Sequence, residues 1–116
     1  LAVANEVWMM ENATYTILSP EGFASILWKD AGRSAEACDM MKLTAPDLMR
    51  LGVIDDIIPE PEGGAHTAPV QAIRQVDRCL QRHLAALAKE NGPALAAARY
   101  QKFRKMGAAA PQKEEL

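Results

Sequence analysis

The sequence of 116 residues predicts an α/β fold in which short strands alternate with helices. Short apolar and β-branched runs at 1–11, 14–18 and 53–58 are typical of strands. Serine, threonine and proline residues ahead of apolar segments mark helix starts between these runs. Apolar residues spaced by three and four positions between residues 68 and 90 indicate a long amphipathic helix.

Two strands are predicted before the first helix, and a third lies further along the chain. Residues 1–11 are apolar with little helical punctuation, which predicts a buried strand followed by a turn at Glu11-Asn12. Residues 14–18 combine β-branched and aromatic side chains, which predicts a second short strand. Residues 53–58 predict a third strand that ends at Pro59-Glu60-Pro61.

The first helix is predicted to run over residues 20–29. Ser19 is a favourable N-cap, and Pro20 suits the first helical position. Glu21 favours the positive end of the helix dipole. The inner side of this helix is predicted to carry Phe23, Ile26 and Leu27.

Two further short helices are predicted before the third strand. Ser34 is the cap candidate for a helix over residues 35–42. Thr44, with Asp47 three residues later, fits the spacing of a capping box. This third helix is predicted to stop at Gly52, a left-handed C-terminal position.

The strongest helical pattern lies in the last part of the chain. One apolar stripe is formed by Val70, Ile73, Val76, Leu80, Leu84 and Leu87. Another face carries Arg74, Arg78 and Arg82. Asn91-Gly92-Pro93 terminates this helix, and a second basic helical piece follows over residues 94–106. Residues 1–107 are assigned to the carboxy-terminal portion of one domain, and residues 108–116 are predicted to be a disordered tail.

Charge divides the sequence into two parts. Residues 1–69 carry 4 basic and 11 acidic side chains, whereas residues 70–106 carry 8 basic and 2 acidic ones. The basic helix is interpreted either as attracting a polyanion or an acidic partner, or as docking on the acidic first part of its own chain or of a neighbouring subunit.

The composition argues against several classes of protein. No apolar run approaches the roughly 18 to 20 residues that a membrane span needs, and the start lacks the pattern of a signal peptide. Cys38 and Cys79 lie 41 residues apart without a CxxC motif, which argues against a zinc site and fits free thiols in a reduced cytoplasm. Because the chain opens in the apolar run Leu1–Ala4, we expect it to be the carboxy-terminal portion of a longer protein.

Side chains suited to acid–base chemistry are few. His66 follows two glycines in a loop, from which it could reach a ligand, whereas His83 is interpreted as a surface or partner-facing residue of the long helix. Asp55 and Asp56 point to opposite faces of a strand, which argues against a shared-proton pair and favours solvent exposure or a salt bridge. The helix start after Ser19 exposes backbone N–H groups that can hold a carboxylate or oxyanion.

Several stretches of the sequence together resemble one protein family: Tyr15–Trp28, Thr44–Leu48, Leu51–His66 and Arg99–Arg104. SPEG followed by ASILW, and IIPEP followed by GGAH, are specific in combination. They resemble the carboxy-terminal third of the carboxyltransferase α subunit of bacterial, multi-subunit acetyl-CoA carboxylase. The resemblance runs from Leu1 to about Gly107.

The resemblance implies a crotonase-like ββα superhelix, of which this chain is the carboxy-terminal portion, ending in long amphipathic helices. It implies pairing with a β subunit in an α2β2 assembly. It also implies transfer of a carboxyl group from carboxybiotin, held on a biotin carboxyl carrier protein, to acetyl-CoA. The product, malonyl-CoA, serves fatty acid synthesis in the cytoplasm. No metal, nucleic acid or membrane is implied for this chain.

The resemblance assigns no catalytic side chain to this sequence. The family relies on backbone oxyanion holes, and in the family the glycine pair of the α subunit lies just before the stretch that matches Leu1–Ala4, so it is not in this chain. The SPEG segment, expected near the carboxybiotin pocket, consists of Ser19, Pro20, Glu21 and Gly22. A GGAH loop without an assigned role contains Gly63, Gly64 and His66. The basic helix is expected to face either the acidic surface of the partner subunit or the phosphates of CoA, and the partner is preferred; its residues are Arg74, Arg78 and Arg82.

Two alternatives remain open at this point. Another acyl-CoA enzyme of the crotonase superfamily, such as a hydratase, would need acid–base carboxylates upstream and would act without a β subunit. A non-catalytic module that binds through its basic helix would bind in a salt-sensitive manner, but it would leave the SPEG and IIPEP segments unexplained.

Overall fold

The computed structural model describes residues 2–108, which form a helix-rich structure around a small parallel sheet. The strands are β1 (Trp8–Met10) and β2 (Asp56–Ile58). The helices are α1 (Pro20–Trp28), α2 (Ser34–Met41), α3 (Ala45–Arg50), α4 (Pro69–Leu87) and α5 (Gly92–Lys105). Short 3₁₀ turns lie at Ala31–Arg33 and Ala65–Thr67. The predicted tail lies, apart from Ala108, outside the described residues.

The two strands run parallel, with Trp8 opposite Asp56 and Met10 opposite Ile58. Beneath them, a buried cluster joins the sheet to α3 and consists of Met9, Ala45, Leu48 and Ile54. The α/β class is therefore consistent with the structure, although the sheet is small. None of the helices in the described part of the chain is both long and apolar enough to cross a membrane.

The strand predicted at residues 14–18 is wrong. This segment makes one isolated antiparallel bridge, between Thr14 and Thr44, and Ile17 is 94% exposed. The Thr16 hydroxyl donates to the carbonyl of Leu18 at 3.0 Å, a local bond that competes with strand pairing. Residues with high strand propensity form a ladder only beside a partner strand.

The predicted strand at residues 53–58 is shortened to β2. The backbone N–H groups of Val53 and Ile54 donate to the carbonyl of Leu48 at 2.9 and 3.4 Å. These two residues therefore complete the end of α3, helped by Gly52 at φ +71°, instead of extending the sheet. The predicted strand at residues 1–11 is likewise reduced to β1, followed by the expected turn.

The inner face predicted for the first helix is wrong in part. Ile26 and Leu27 are 73% and 54% exposed, and Phe23 is half-buried. The helix packs on α2 instead, and the buried residue of each helix is an alanine, Ala24 and Ala37. Small side chains at this contact let the helices approach closely and leave the larger apolar residues outside.

The predicted ends of the short helices need two corrections. Ser34 is the first residue of α2 and not its cap, because the 3₁₀ turn at Ala31–Arg33 leads directly into the helix. Thr44 makes no side-chain cap to the backbone of α3. Its hydroxyl instead lies 3.2 Å from the carboxylate of Asp47, so the predicted capping box is not formed.

The long helix α4 and the following α5 are confirmed, with shifted ends. α4 stops at Leu87, and Asn91 belongs to the next helix as its N-cap, because its side chain accepts from the N–H of Ala94 at 2.8 Å. Most of the predicted apolar stripe of α4 is exposed, and its exposed members are Val70, Ile73, Leu80 and Leu84.

Candidate functional site

The SPEG segment forms the start of α1. Ser19 caps the helix as predicted: its hydroxyl accepts from the N–H of Gly22 at 3.1 Å, and its carbonyl accepts from Phe23 at 2.9 Å. Pro20 has no N–H, and the N–H of Gly22 is bonded to Ser19. The N–H of Glu21 is therefore the one donor in the first three helical residues that has no acceptor among the described residues. One such donor is a weaker anion site than the open helix start that the sequence predicts.

Gly22 is not required by the space around it. A Cβ atom built at this position lies 3.4 Å from Leu18 Cδ1 and 3.4 Å from the Ser19 hydroxyl, which are ordinary contacts. The surroundings of the SPEG segment are apolar and open, because Ile17 and Ile26 are both largely exposed. A larger side chain at position 22 would therefore project from the surface of this helix start without displacing the core.

The GGAH loop is held in shape by Glu60. One carboxylate oxygen of Glu60 accepts from the N–H of Ala65 at 2.9 Å, and the other accepts from the N–H of Asn12 at 2.5 Å. The N–H of Glu60 donates in turn to the carboxylate of Glu11 at 3.0 Å. Glu60 thus ties the loop to the turn after β1, and nothing in the sequence pattern indicates this role.

Both glycines of the loop need their conformational freedom. Gly63 and Gly64 have φ values of +82° and +102°, a region that other residues rarely adopt. A Cβ atom at Gly64 would also lie 3.1 Å from the imidazole of His66. The glycine pair therefore lets the chain turn sharply and places His66 on the exposed side of the loop.

His66 lies where two clefts meet. An apolar groove of about 600 Å³ runs between the GGAH loop and α4, with Met10, Ile73 and Val76 among its lining residues. An acidic cleft of about 620 Å³ lies on the other side, with Glu11 and Glu60 in its wall. Both clefts are lined by His66, and its side chain is exposed.

The basic helix α4 is docked on its own chain through a polar cluster. Arg82 Nη2 lies 3.3 Å from the carboxylate of Asp56, and His83 Nδ1 lies 2.6 Å from the carboxylate of Glu6. Trp8 donates its indole N–H to Glu6 at 3.0 Å, and its ring centroid lies 4.2 Å from that of His83. The interpretation of own-chain docking is therefore confirmed for Arg82, and His83 faces the sheet instead of a partner.

The remaining two arginines of this helix, Arg74 and Arg78, are exposed, and no described carboxylate lies within ion-pair distance of either. Asp55 and Asp56 each form a salt bridge, as predicted, although Asp55 lies just before β2 and not in the predicted strand. Asp55 pairs with Lys102 of α5, whereas Asp56 pairs with Arg82.

The three predicted regions fall into two parts of the structure. α1, which carries the SPEG segment, packs mainly with α2 and the turn at Ala31–Arg33. The GGAH loop packs against α4, so the loop and the basic helix are neighbours. Within residues 2–108, no group of three or more metal-ligating side chains is arranged to hold a metal ion.

Comparison with known proteins gives consistent matches. Residues 1–107 match the model of a family described as acetyl co-enzyme A carboxylase carboxyltransferase-like. The acetyl-coenzyme A carboxylase carboxyl transferase subunit alpha of Shouchella clausii is 51% identical over 107 residues, which are 92% of this chain and 33% of that protein. The protein of the same name from Methylobacterium nodulans is 54% identical over 107 residues, 92% of this chain and 34% of its own length.

The protein of the same name from Geobacillus sp. strain WCH70 is 47% identical over 116 residues, 100% of this chain and 36% of its own length. The chain therefore spans about a third of the length of the curated relatives it matches.

Proposed function

The chain belongs to the acetyl-CoA carboxylase carboxyltransferase family, and on this premise we propose that it forms part of the α side of a carboxyl-transfer site. The reaction moves a carboxyl group from carboxybiotin on a carrier protein to acetyl-CoA. The methyl carbon of acetyl-CoA loses a proton and forms the new C–C bond, the C–N bond of the carboxylated cofactor breaks, and its nitrogen recovers a proton. The single observation that carries the proposal is the family match over residues 1–107.

The proposed role of this chain is to bind and orient rather than to transfer protons. The resemblance assigns the donors that polarise the transferred group to a glycine pair that, in the family, lies ahead of the stretch matched by Leu1–Ala4. The SPEG segment supplies the N–H of Glu21 as one open donor, and the exposed apolar side chains of Ile17 and Ile26 lie on either side of it in the chain. This arrangement fits the rim of a biotin pocket, and it does not fit a complete oxyanion hole.

The proposed partners are a carboxyltransferase β subunit and a biotin carboxyl carrier protein, in an α2β2 assembly of crotonase-like subunits in the cytoplasm that supplies malonyl-CoA for fatty acid synthesis. The surface proposed for the β subunit is the exposed part of α4. It combines an apolar row with the two free arginines, Arg74 and Arg78. An apolar surface of this kind, rimmed by charge, is typical of a protein interface.

The test is malonyl-CoA formation by the intact protein that carries this sequence, mixed with a β subunit and carboxylated carrier protein. Absence of malonyl-CoA under conditions in which a relative's α subunit is active would contradict the proposed function. Crotonyl-CoA hydration without the β subunit would instead support the hydratase alternative.

Gly22→Val tests the placement of the SPEG segment at the pocket. Valine adds bulk beside the Ser19 hydroxyl, so we expect carboxyl transfer to fall about tenfold or more while the melting temperature stays within a few degrees. The matched control is Gly22→Ala, whose added atom meets ordinary contacts of 3.4 Å, and it should keep its activity. Unchanged turnover of the valine variant would remove the SPEG segment from the site.

A further inference from the structure

Helix α5 is joined to the amino-terminal segment by polar contacts between residues far apart in the chain. Lys102 Nζ donates to the carbonyl of Asn5 at 3.0 Å and pairs with the carboxylate of Asp55. The side-chain amide of Asn5 donates back to the carbonyl of Leu95 at 2.7 Å. We call the set of Asn5, Asp55, Leu95 and Lys102 the polar clamp.

Lys102 is enclosed to a degree that is unusual for lysine. Its side chain is 17% exposed, whereas Arg104 and Lys105 on the same helix are exposed. An ammonium group withdrawn from water needs a carboxylate and further acceptors around it. Asp55 provides the carboxylate and Asn5 provides a carbonyl acceptor. The surroundings of position 102 therefore favour a positively charged side chain.

Asp55 extends the clamp into the backbone ahead of the sheet. Its carboxylate accepts from the N–H of Val7 at 2.8 Å, and its own N–H donates to the carbonyl of Val7 at 2.8 Å. β1 begins at the next residue, Trp8. Residues 5–7 are therefore fixed by Lys102 and Asp55 just before the chain enters the sheet.

Little else holds α5 in place. The helix has no buried residue along its whole length. Its half-buried positions include Leu95, Lys102 and Phe103. Polar contacts thus contribute much of the connection between α5 and the amino-terminal segment. Because hydrogen bonds are directional, they fix the position of this segment along the helix more closely than apolar contacts alone would.

We propose that Lys102 is a positioning residue for carboxyl transfer, which acts by fixing residues 5–7 through the polar clamp. The inference rests on the proposed function, in which the reactive backbone groups are those of the family's glycine pair, and residues 2–7 are the part of the matched stretch that leads into the sheet. Catalysis by backbone donors depends on where the chain is held, and a displacement of about 1 Å can lower the rate about a hundredfold. Within residues 2–7, the hydrogen bonds of the polar clamp begin at Asn5.

Lys102→Met, measured in the intact protein assembled with its β subunit, tests the proposal. We expect kcat for malonyl-CoA formation to fall about tenfold to a hundredfold, with KM for acetyl-CoA within twofold of the unaltered protein. Lys102→Arg, which keeps the charge and the donors, should recover a large part of kcat. The matched control is Lys105→Met on the exposed side of the same helix, and it should leave kcat unchanged.

A kcat for Lys102→Met within twofold of the Lys105→Met value would overturn the proposal. If Lys102→Met does not fold, Asp55→Asn carries the test, because asparagine keeps the size and an acceptor oxygen for Val7. The same loss of kcat then supports the clamp, and an unchanged kcat overturns it.

A second readout is independent of activity. Hydrogen exchange at the amide of Val7 should be at least tenfold faster in Lys102→Met than in Lys105→Met. Equal exchange rates would overturn the clamp even in an active enzyme. If the unaltered assembly makes no malonyl-CoA, the proposed function fails, and a catalytic role of the clamp fails with it even where the exchange result confirms the contacts.

Discussion

At the scale of single residues, Glu60 connects parts of the chain that are distant in sequence. One carboxylate oxygen accepts from the N–H of Asn12, which precedes Glu60 in the chain, and the other accepts from the N–H of Ala65, which follows it. In the sequence, Glu60 stands between two prolines at a predicted strand end. Its role depends on a turn 48 residues away, which no local pattern reveals.

Glu60→Ala should lower the free energy of unfolding by about 1 kcal/mol, because two backbone N–H groups lose a charged acceptor while water can still reach them in part. Urea titration followed by circular dichroism measures this. Glu62→Ala is the control, since the side chain of Glu62 is exposed and makes no described hydrogen bond. Equal effects of the two substitutions would contradict the role given to Glu60.

At the scale of elements, α4 combines a contact with its own chain and an exposed surface. Its inner side docks on the sheet through Arg82 and His83, and its outer side presents Arg74 and Arg78 beside exposed apolar residues. The predicted set of three arginines is thus divided between the chain itself and a proposed partner.

Arg78→Glu should weaken association with the β subunit about tenfold and reduce its salt dependence, while the isolated chain keeps its melting temperature. Arg82→Glu should have the opposite profile: its exposed pair with Asp56 is replaced by repulsion, which lowers the free energy of unfolding by up to about 1 kcal/mol. Calorimetric titration and thermal melting separate the two effects. Arg104→Glu, on α5, makes the same charge change elsewhere and should do neither.

Helices were predictable to a greater extent than strands, because their signals are local. Ser19 caps α1 from the adjoining residue, and the spacing of apolar residues in α4 is visible in one segment. Strand limits depend on distant partners: residues 14–18 find none beyond one bridge, and Val53 is used by the end of α3. For the same reason Lys102 could not be assigned from the sequence, since its partner Asp55 lies 47 residues away.

At the scale of the whole molecule, the acidic first part and the basic last part of the chain are complementary. Asp55 and Asp56 are consecutive, yet each binds a different helix, α5 through Lys102 and α4 through Arg82. The charge separation in the sequence is therefore used in part for internal docking. Arg74 and Arg78 are exposed and form no ion pair within the described residues.

The parallel register of β1 and β2 also sets an order of events during folding. Trp28 contacts Phe23, with ring centroids 6.2 Å apart, and Arg33, 4.0 Å from its ring, so its environment forms from neighbours in sequence. Trp8 reaches its final environment only when the chain closes over three helices to meet Asp56 and His83. Closing such a long loop is slower than forming local contacts.

In stopped-flow refolding, Trp8→Phe leaves Trp28 as the reporter, and Trp28→Phe leaves Trp8, since the chain has 2 tryptophans. The Trp28 signal should change in a faster phase than the Trp8 signal. A single common rate would show that the α1–α2 pair does not form ahead of the sheet. Different rates would show that the α1–α2 pair forms before β1 pairs with β2, so a chain emerging from the ribosome would keep Trp8–Met10 unpaired while residues 20–41 already fold.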